Sequence, residues 1–236
     1  MLLEPVNPAE VPDVVVLNEL GTLALQTHVR RLMSERVPDV WASAKWHSDG
    51  SRVDDRDAVM IVWRAEVFQY IRETIEILHG GKSGVTPTRV VRRVLLEHRA
   101  TRKRVWRQGT HTVHGVERNG VAFSVIPGQL DRAEVAFPRI AADVLEAAVT
   151  APVEGSGDLN VDALAEAKLP PAKRTPWFPM NTIGKVAAFA NPPRGTHGNR
   201  CIDQRWIRGR IRVLSIAVLP KRSSDHNPVL AIVELT

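Results

Sequence analysis

The sequence predicts an α/β fold on three observations. Short apolar runs rich in β-branched residues recur along the chain, helical patterns lie between them, and several runs lack the polar alternation of a half-exposed strand. The runs are Val14 to Leu17, Ala58 to Trp63, Val90 to Leu96, Val121 to Ile126, Ile211 to Leu219 and Val229 to Val233. Each has the length of a strand, and the unalternated ones suit strands buried on both faces. Helical patterns cover Thr22 to Met33 and Arg132 to Val149, the second interrupted by Pro138. With 236 residues, 44% of them hydrophobic and 25% charged, the chain can bury a sizeable core, and a single domain over residues 1–236 is expected.

Composition narrows the partners. No apolar run approaches the ~20 residues that span a bilayer. The start, Met1-Leu2-Leu3-Glu4-Pro5, has neither the basic region nor the apolar core of a secretion signal. The lone cysteine, Cys201, has no internal partner for a disulfide. A cytoplasmic monomer with no membrane partner is therefore expected. Lysine and arginine exceed aspartate and glutamate by 32 to 26, which favours a polyanionic partner such as nucleic acid, although a generically basic surface has the same balance.

Turn residues gather at Gly80 to Pro87, at Glu154 to Gly157 and most densely from Pro170 to Gly198. The last stretch is too long for an ordinary connection and carries Trp177, Phe178 and Phe189, so a surface loop near a functional site is expected there.

Four segments carry the chemistry. In Gly157-Asp158-Leu159-Asn160 an extended backbone turns Asp158 and Asn160 to one side, a carboxylate beside a carboxamide that could orient a water or hold an oxyanion. The same residues are also favoured in turns and helix caps. Ser224-Asp225-His226-Asn227-Pro228 leads into the apolar run at Val229, and Pro228 places Asp225 and His226 at the entry of that strand. A histidine whose tautomer is fixed by a carboxylate serves as base or electrostatic partner near neutral pH; an exposed polar turn is the alternative. The run from Val14 to Leu17 leads to Asn18 and Glu19, where Glu19 would be a hard oxygen ligand or a helix-start glutamate. In Cys201-Ile202-Asp203 the aspartate lies among Ile202 and Trp206 and needs a partner, which His226 or Arg205 would supply.

Taken in this order, the segments resemble the endonuclease/exonuclease/phosphatase superfamily. Its members carry a strand ending in Gln-Glu, a Thr-His strand end, a Gly-Asp-Phe-Asn turn, an Ile-Asp strand and a terminal Ser-Asp-His-x-Pro-Val. The matching residues are Asn18-Glu19, Thr110-His111, Gly157 to Asn160, Ile202-Asp203 and Ser224 to Val229. The resemblance implies a two-sheet α/β sandwich with outer helices, and a phosphoesterase that depends on Mg²⁺ or Mn²⁺. It implies that Glu19 binds the metal with Asp225 nearby, that Asp158 and Asn160 orient water and phosphate, that His111 contacts a phosphate oxygen, and that Asp203 holds His226 against the phosphoryl group. Within that activity the positive charge balance favours DNA or RNA as substrate, with a phosphomonoester or a phospholipid headgroup, which the same constellation would serve, and a catalytically weak nucleic-acid-binding relative as alternatives. Two features depart from the family pattern. Asn18 replaces a glutamine, and the twelve residues before Asp13 are too few for the family's first strand and helix, so that strand is expected to be missing.

Other signals carry less. His111-Thr112-Val113-His114 lacks the further cysteines or histidines of a zinc site. Gly80-Gly81-Lys82-Ser83 lacks the earlier glycine of a phosphate loop, since Glu76 stands there. The densest basic cluster runs from Arg89 to Arg107. Within it, Arg102 and Arg104 would contact backbone phosphates and Trp106 would stack on a base, unless the cluster is simply a solvated strand face.

Overall fold

Two β-layers lie between helices, and the apolar runs explain why. The computed structural model describes residues 11–19, 23–36, 41–43, 59–81, 86–220 and 224–236. The region before Asp13 where the missing first strand was expected lies largely outside them, as do residues 20–22.

Strand β1 (Val14–Leu17), helix α1 (Leu23–Arg36), β2 (Trp41–Ser43) and β3 (Met60–Arg64) come first, followed by β4 (Phe68–His79), β5 (Arg89–His98) and β6 (Arg104–His111). A small hairpin, β7 (Glu117–Arg118) and β8 (Val121–Ala122), precedes α2 (Gln129–Ala148), β9 (Val153–Asp158) and α3 (Ala163–Lys168). After three 3₁₀ turns the chain closes with β10 (Ala188–Phe189), β11 (Asp203–Arg208), β12 (Ile211–Val218) and β13 (Val229–Leu235). One sheet has the order β10-β11-β9-β6-β5-β4; β1-β3-β2 and β12-β13 form separate ladders.

The burial pattern sets the layers. In β3, Ile61 and Trp63 pack with Val94, Leu96 and Val105 of the six-stranded sheet, beside Val14, Val16, Ile211 and Leu235. The alternate residues Met60 and Val62 face the other way, with Trp41, Val15, Leu17 and Met33 of α1. A strand covered on both faces has no polar side, which is why this run shows no alternation. On the far face of the large sheet, Phe137, Ile140 and Val144 of α2 pack on Val91, Leu95, Trp106 and Val153. The order is therefore α2, six-stranded sheet, second β-layer, α1, the expected two-sheet sandwich with helices outside. Among the described residues, no helix is long and apolar enough to cross a membrane.

Several local expectations need correction. Helix α2 runs unbroken through Pro138 from Gln129. Proline removes one helical hydrogen bond, but Ala133, Ala136, Phe137, Ile140, Ala141 and Val144 bury one continuous face on either side of it. The run Val121 to Ile126 is strand only at Val121–Ala122. Strand β4 was not anticipated because it is an edge strand with many exposed polar residues. The segment from Pro170 to Gly198 is no simple surface loop: Phe178 is fully buried, with Trp177 and Phe189 against the same core.

Charges inside the large sheet are matched by position. Glu154 of β9 is buried and pairs with Arg107 of β6 on one side and Arg205 of β11 on the other. Burial lowers the Arg205 guanidinium to about 10. Glu154→Gln leaves two enclosed guanidiniums without their counter-charge. The expected loss is about 3–5 kcal/mol, read as a fall in the urea midpoint, and an unchanged midpoint would remove this triad from the fold's support.

Candidate active site

The site is assembled by strand register. Strands β6 and β9 run parallel with His111 opposite Asp158, and β11 runs antiparallel to β9 with Asp203 opposite the same Asp158. Three neighbouring strands thus place His111, Asp158 and Asp203 in one row. Gly157 makes the approach possible, because a Cβ there would strike the Thr110 carbonyl of β6. The row faces the second β-layer: Gly109, two residues before His111 and so on the same face, abuts Val16 of β1 and Ile61 of β3. Glu19 follows β1, and Asp225 and His226 precede β13, so both β-layers contribute to one edge of the sandwich.

Within this edge, His226 Nδ1 is 2.8 Å from Asp203 Oδ2. With Asp203 ionised, that bond requires the hydrogen on Nδ1 and turns Nε2 outward. Nε2 is 3.9 Å from Asp158 and 4.0 Å from Asp225. The Asp203 hydrogen bond raises the His226 pKa to about 9, against the opposing effect of partial burial. Asp158 is pushed up to about 7, by burial first and the Asp203 charge second. Burial, with Arg89 adding to it, lowers His111 to about 3, so its ring is neutral.

The turn after β9 holds the carboxamide. Asn160 has φ 54°, its backbone N–H donates to Asp158 Oδ1 at 2.8 Å, and its side-chain amide donates to the Thr112 carbonyl at 3.1 Å. His111 lies between two carboxylates, with Nε2 3.6 Å from Asp158 and Nδ1 4.0 Å from Glu19. The Glu19 side chain is largely exposed and its backbone has φ 62°. All seven residues singled out in the sequence therefore meet at one edge.

Two residues were missed. His197 lies in a tight turn bridged to Arg200, with Nε2 3.4 Å from Asp225 Oδ2 and its ring centroid 4.8 Å from that of His226. Its neighbour Thr196 is buried; its hydroxyl accepts from the Ile202 and Asp203 backbone, and its carbonyl accepts from Asn227 N–H at 2.6 Å. Arg89 begins β5 beside the row and acts on both His111 and Asp158. His197 sits in a turn-rich stretch with no strand or motif to mark it, while Arg89 was hidden among other arginines.

The donor set fits a divalent cation. Asp158, Asp203 and His226 form one group whose ligand atoms lie within 4.8 Å of one another, and His197, Asp225 and His226 form another. Beside Glu19, the buried Asn18 Oδ1 accepts no hydrogen bond among the described residues. Buried like charges and an orphaned oxygen are what a cation would offset.

The expected nucleic-acid contacts are not at this edge. Trp106 is fully buried, its indole donating to Thr150 Oγ1 at 2.9 Å, and cannot stack on a base. Arg102 and Arg104 both pair with Glu97, at 2.8 and 2.9 Å. Arg104 opens β6, seven residues from His111 and roughly 23 Å away at strand rise, and Arg102 lies in the turn before it. Other members of the basic cluster are also engaged with carboxylates: Arg93 pairs with the buried Asp143 and the exposed Glu146, and Arg107 with the buried Glu154.

No family model and no curated protein matches the sequence. Solved structures match the fold. An endonuclease/exonuclease/phosphatase from Bacteroides vulgatus is 15% identical with a TM-score of 0.68, over 95% of this chain and 85% of that one. A mannosyl-6-phosphatase from Bacteroides thetaiotaomicron is 15% identical with a TM-score of 0.67, over 94% and 85%. TDP2 from D. rerio, complexed with a single-strand DNA product, is 16% identical with a TM-score of 0.59, over 94% and 86%. The chain has the fold of the endonuclease/exonuclease/phosphatase superfamily.

The Asp203 contact sets the charge of His226. Because the folded pKa is raised, the imidazolium stabilises the fold below its ordinary value of 6.5, and this contribution disappears as pH rises through about 9. Asp203→Asn should bring the His226 titration midpoint, followed by NMR of the ring protons, back toward the ordinary range. A midpoint unmoved by the substitution would separate the two groups.

Proposed function

We propose that the protein is a metal-dependent phosphoesterase acting on phosphodiester bonds of nucleic acid. The observation that carries this reading is the Asp203–His226 hydrogen bond beside Asp158, His111 and Asn160 at one strand edge. An imidazolium fixed by a carboxylate, next to a carboxylate poised near neutrality, suits phosphoryl transfer.

Each residue has a task. Asp158, pushed up to about 7, takes a hydrogen bond from the attacking water and accepts its proton. The Asn160 turn fixes that carboxylate through its backbone N–H. His226 donates from Nε2 to a phosphoryl oxygen while Asp203 holds its other nitrogen. Neutral His111 offers a second hydrogen bond to the phosphate without adding charge. Glu19 and Asp225 would hold Mg²⁺ or Mn²⁺, which when bound neutralises charge developing on the phosphoryl oxygens.

Nucleic acid is supported by the net charge of +6 and by the DNA product in the structurally similar TDP2 complex. The recognition surface moves, however, from Arg102 and Arg104 to the hairpin after β6. There Arg118 is exposed, with its guanidinium 4.0 Å over the partly exposed Phe123 ring. A phosphomonoester is the second reading, favoured by the similarity to the mannosyl-6-phosphatase and by the engagement of the β5 and β6 arginines in ion pairs.

The test is incubation of the full chain with supercoiled plasmid or p-nitrophenyl phosphate in Mg²⁺ or Mn²⁺, with and without EDTA. Plasmid nicking that EDTA abolishes, reduced about 10²- to 10⁴-fold by His226→Ala, is the expected result. Turnover of the monoester alone selects the second reading, and equal rates for the wild type and His226→Ala would overturn the site.

A further inference from the structure

We propose that His197, Asp225 and His226 form a second cation site, selective for a borderline divalent ion of the zinc, cobalt and nickel class. The three groups converge from two loops. His197 Nε2 is 3.4 Å from Asp225 Oδ2, His226 Nε2 is 4.0 Å from Asp225 Oδ1, and the two rings lie 4.8 Å apart with their planes 47° from parallel. Their ligand atoms all fall within 4.8 Å of one another. Tetrahedral coordination at metal–nitrogen distances of about 2.0–2.1 Å places ligand atoms about 3.3 Å apart. Closing to that geometry needs only small side-chain movements, and His197 and Asp225 are exposed enough to make them.

Two further observations favour a metal over an incidental cluster. The orientation of His226 is set from behind: Asp203 accepts the Nδ1–H hydrogen bond, so Nε2, on releasing its proton to solvent as the ion binds, is the coordinating atom, which is the carboxylate–histidine–metal relation seen around bound zinc. The two loops are also tied together, since Asn227 N–H donates to the Thr196 carbonyl at 2.6 Å and His197 is bridged to Arg200. A site held by its backbone keeps its donors near one another without the ion.

The donor set decides the class of ion. Two imidazoles and one carboxylate suit zinc, cobalt or nickel, whereas Mg²⁺ prefers oxygen ligands and retains water. The surroundings of Glu19 and Asp158, two carboxylates on either side of His111, are chemically different. One consequence rests on the phosphoesterase reading: an ion on His226 Nε2 occupies the atom that would donate to the phosphate. Zinc should therefore oppose Mg²⁺-supported hydrolysis.

Binding can be measured without substrate, so its outcome is independent of whether hydrolysis is found. The full chain is titrated with Co²⁺, followed by its visible absorption, and the ion is then displaced with Zn²⁺. One equivalent with a ligand-field band is expected for the wild type. His197→Ala, and His197→Gln as a variant closer in volume, should weaken binding at least tenfold while circular dichroism stays unchanged, whereas Glu19→Gln should retain the band. Absence of a band in the wild type would overturn the site. So would wild-type affinity in folded His197→Ala and His197→Gln, or a band that disappears with Glu19→Gln and survives both His197 substitutions.

Discussion

The arrangement depends on the register of three strand ends around Asp158. A parallel neighbour brings His111 and an antiparallel neighbour brings Asp203 to the same level. A slip of one residue in either ladder would turn one of these side chains to the opposite face of the sheet. Register is protected by groups well away from the chemistry. Glu154 ties β6 and β11 to β9, and the Trp206 indole donates to Gln108 at 2.6 Å across the buried interior. Gly155 leaves room for that indole and Gly157 lets the Thr110 carbonyl approach, so two missing side chains in one strand allow the sheet to close at this edge. The buried polar network therefore acts on the active edge by fixing which face each residue presents.

The sequence revealed the parts of this arrangement that are local. Asp158 and Asn160 are two residues apart in a glycine-flanked turn, and Asp225 and His226 are adjacent and stand just before the apolar run at Val229 that periodicity can find. The structure brings these pieces to one edge, as the order of the motifs implies. What remained hidden was non-local compensation. Arg93 and Arg107 read as surface charge because their carboxylate partners, Asp143, Glu146 and Glu154, lie 47 residues or more further along the chain. Trp106 looked available for stacking because it stands between two arginines, yet strand alternation turns it into the core against α2. His197 had no periodic element around it at all, and it is held at the site through the hydrogen bonds accepted by the hydroxyl and the carbonyl of Thr196.

The electrostatics of the edge follow from burial and from the order of charges. Asp158 and Asp203 are register partners, and Asp158, the more enclosed, is the one whose pKa rises. Asp203 instead has the His226 ring as its partner, and that ring is held in its charged form as a result. Two carboxylates separated in this way supply both a proton acceptor and a fixed cation without any change of residue type.

The two ends of β6 show where the positive charge of the chain is available to a substrate. At the start of the strand, Arg102 and Arg104 are held by Glu97, and an arginine already committed to a buried carboxylate must give up that pair to bind a phosphate. At the other end, Arg118 is exposed and, among the described residues, no carboxylate pairs with it. Its guanidinium lies over the Phe123 ring. A guanidinium resting on an aromatic face keeps its donors free in the plane, where they can meet a phosphate or lie under a base. Glu117, next to Arg118, pairs with Arg200, whose guanidinium is also 3.5 Å from the Asn160 carbonyl, so the hairpin is coupled to the Asn160 turn through one side chain. Substrate preference should therefore follow the hairpin of β7 and β8 rather than the number of basic residues in the chain.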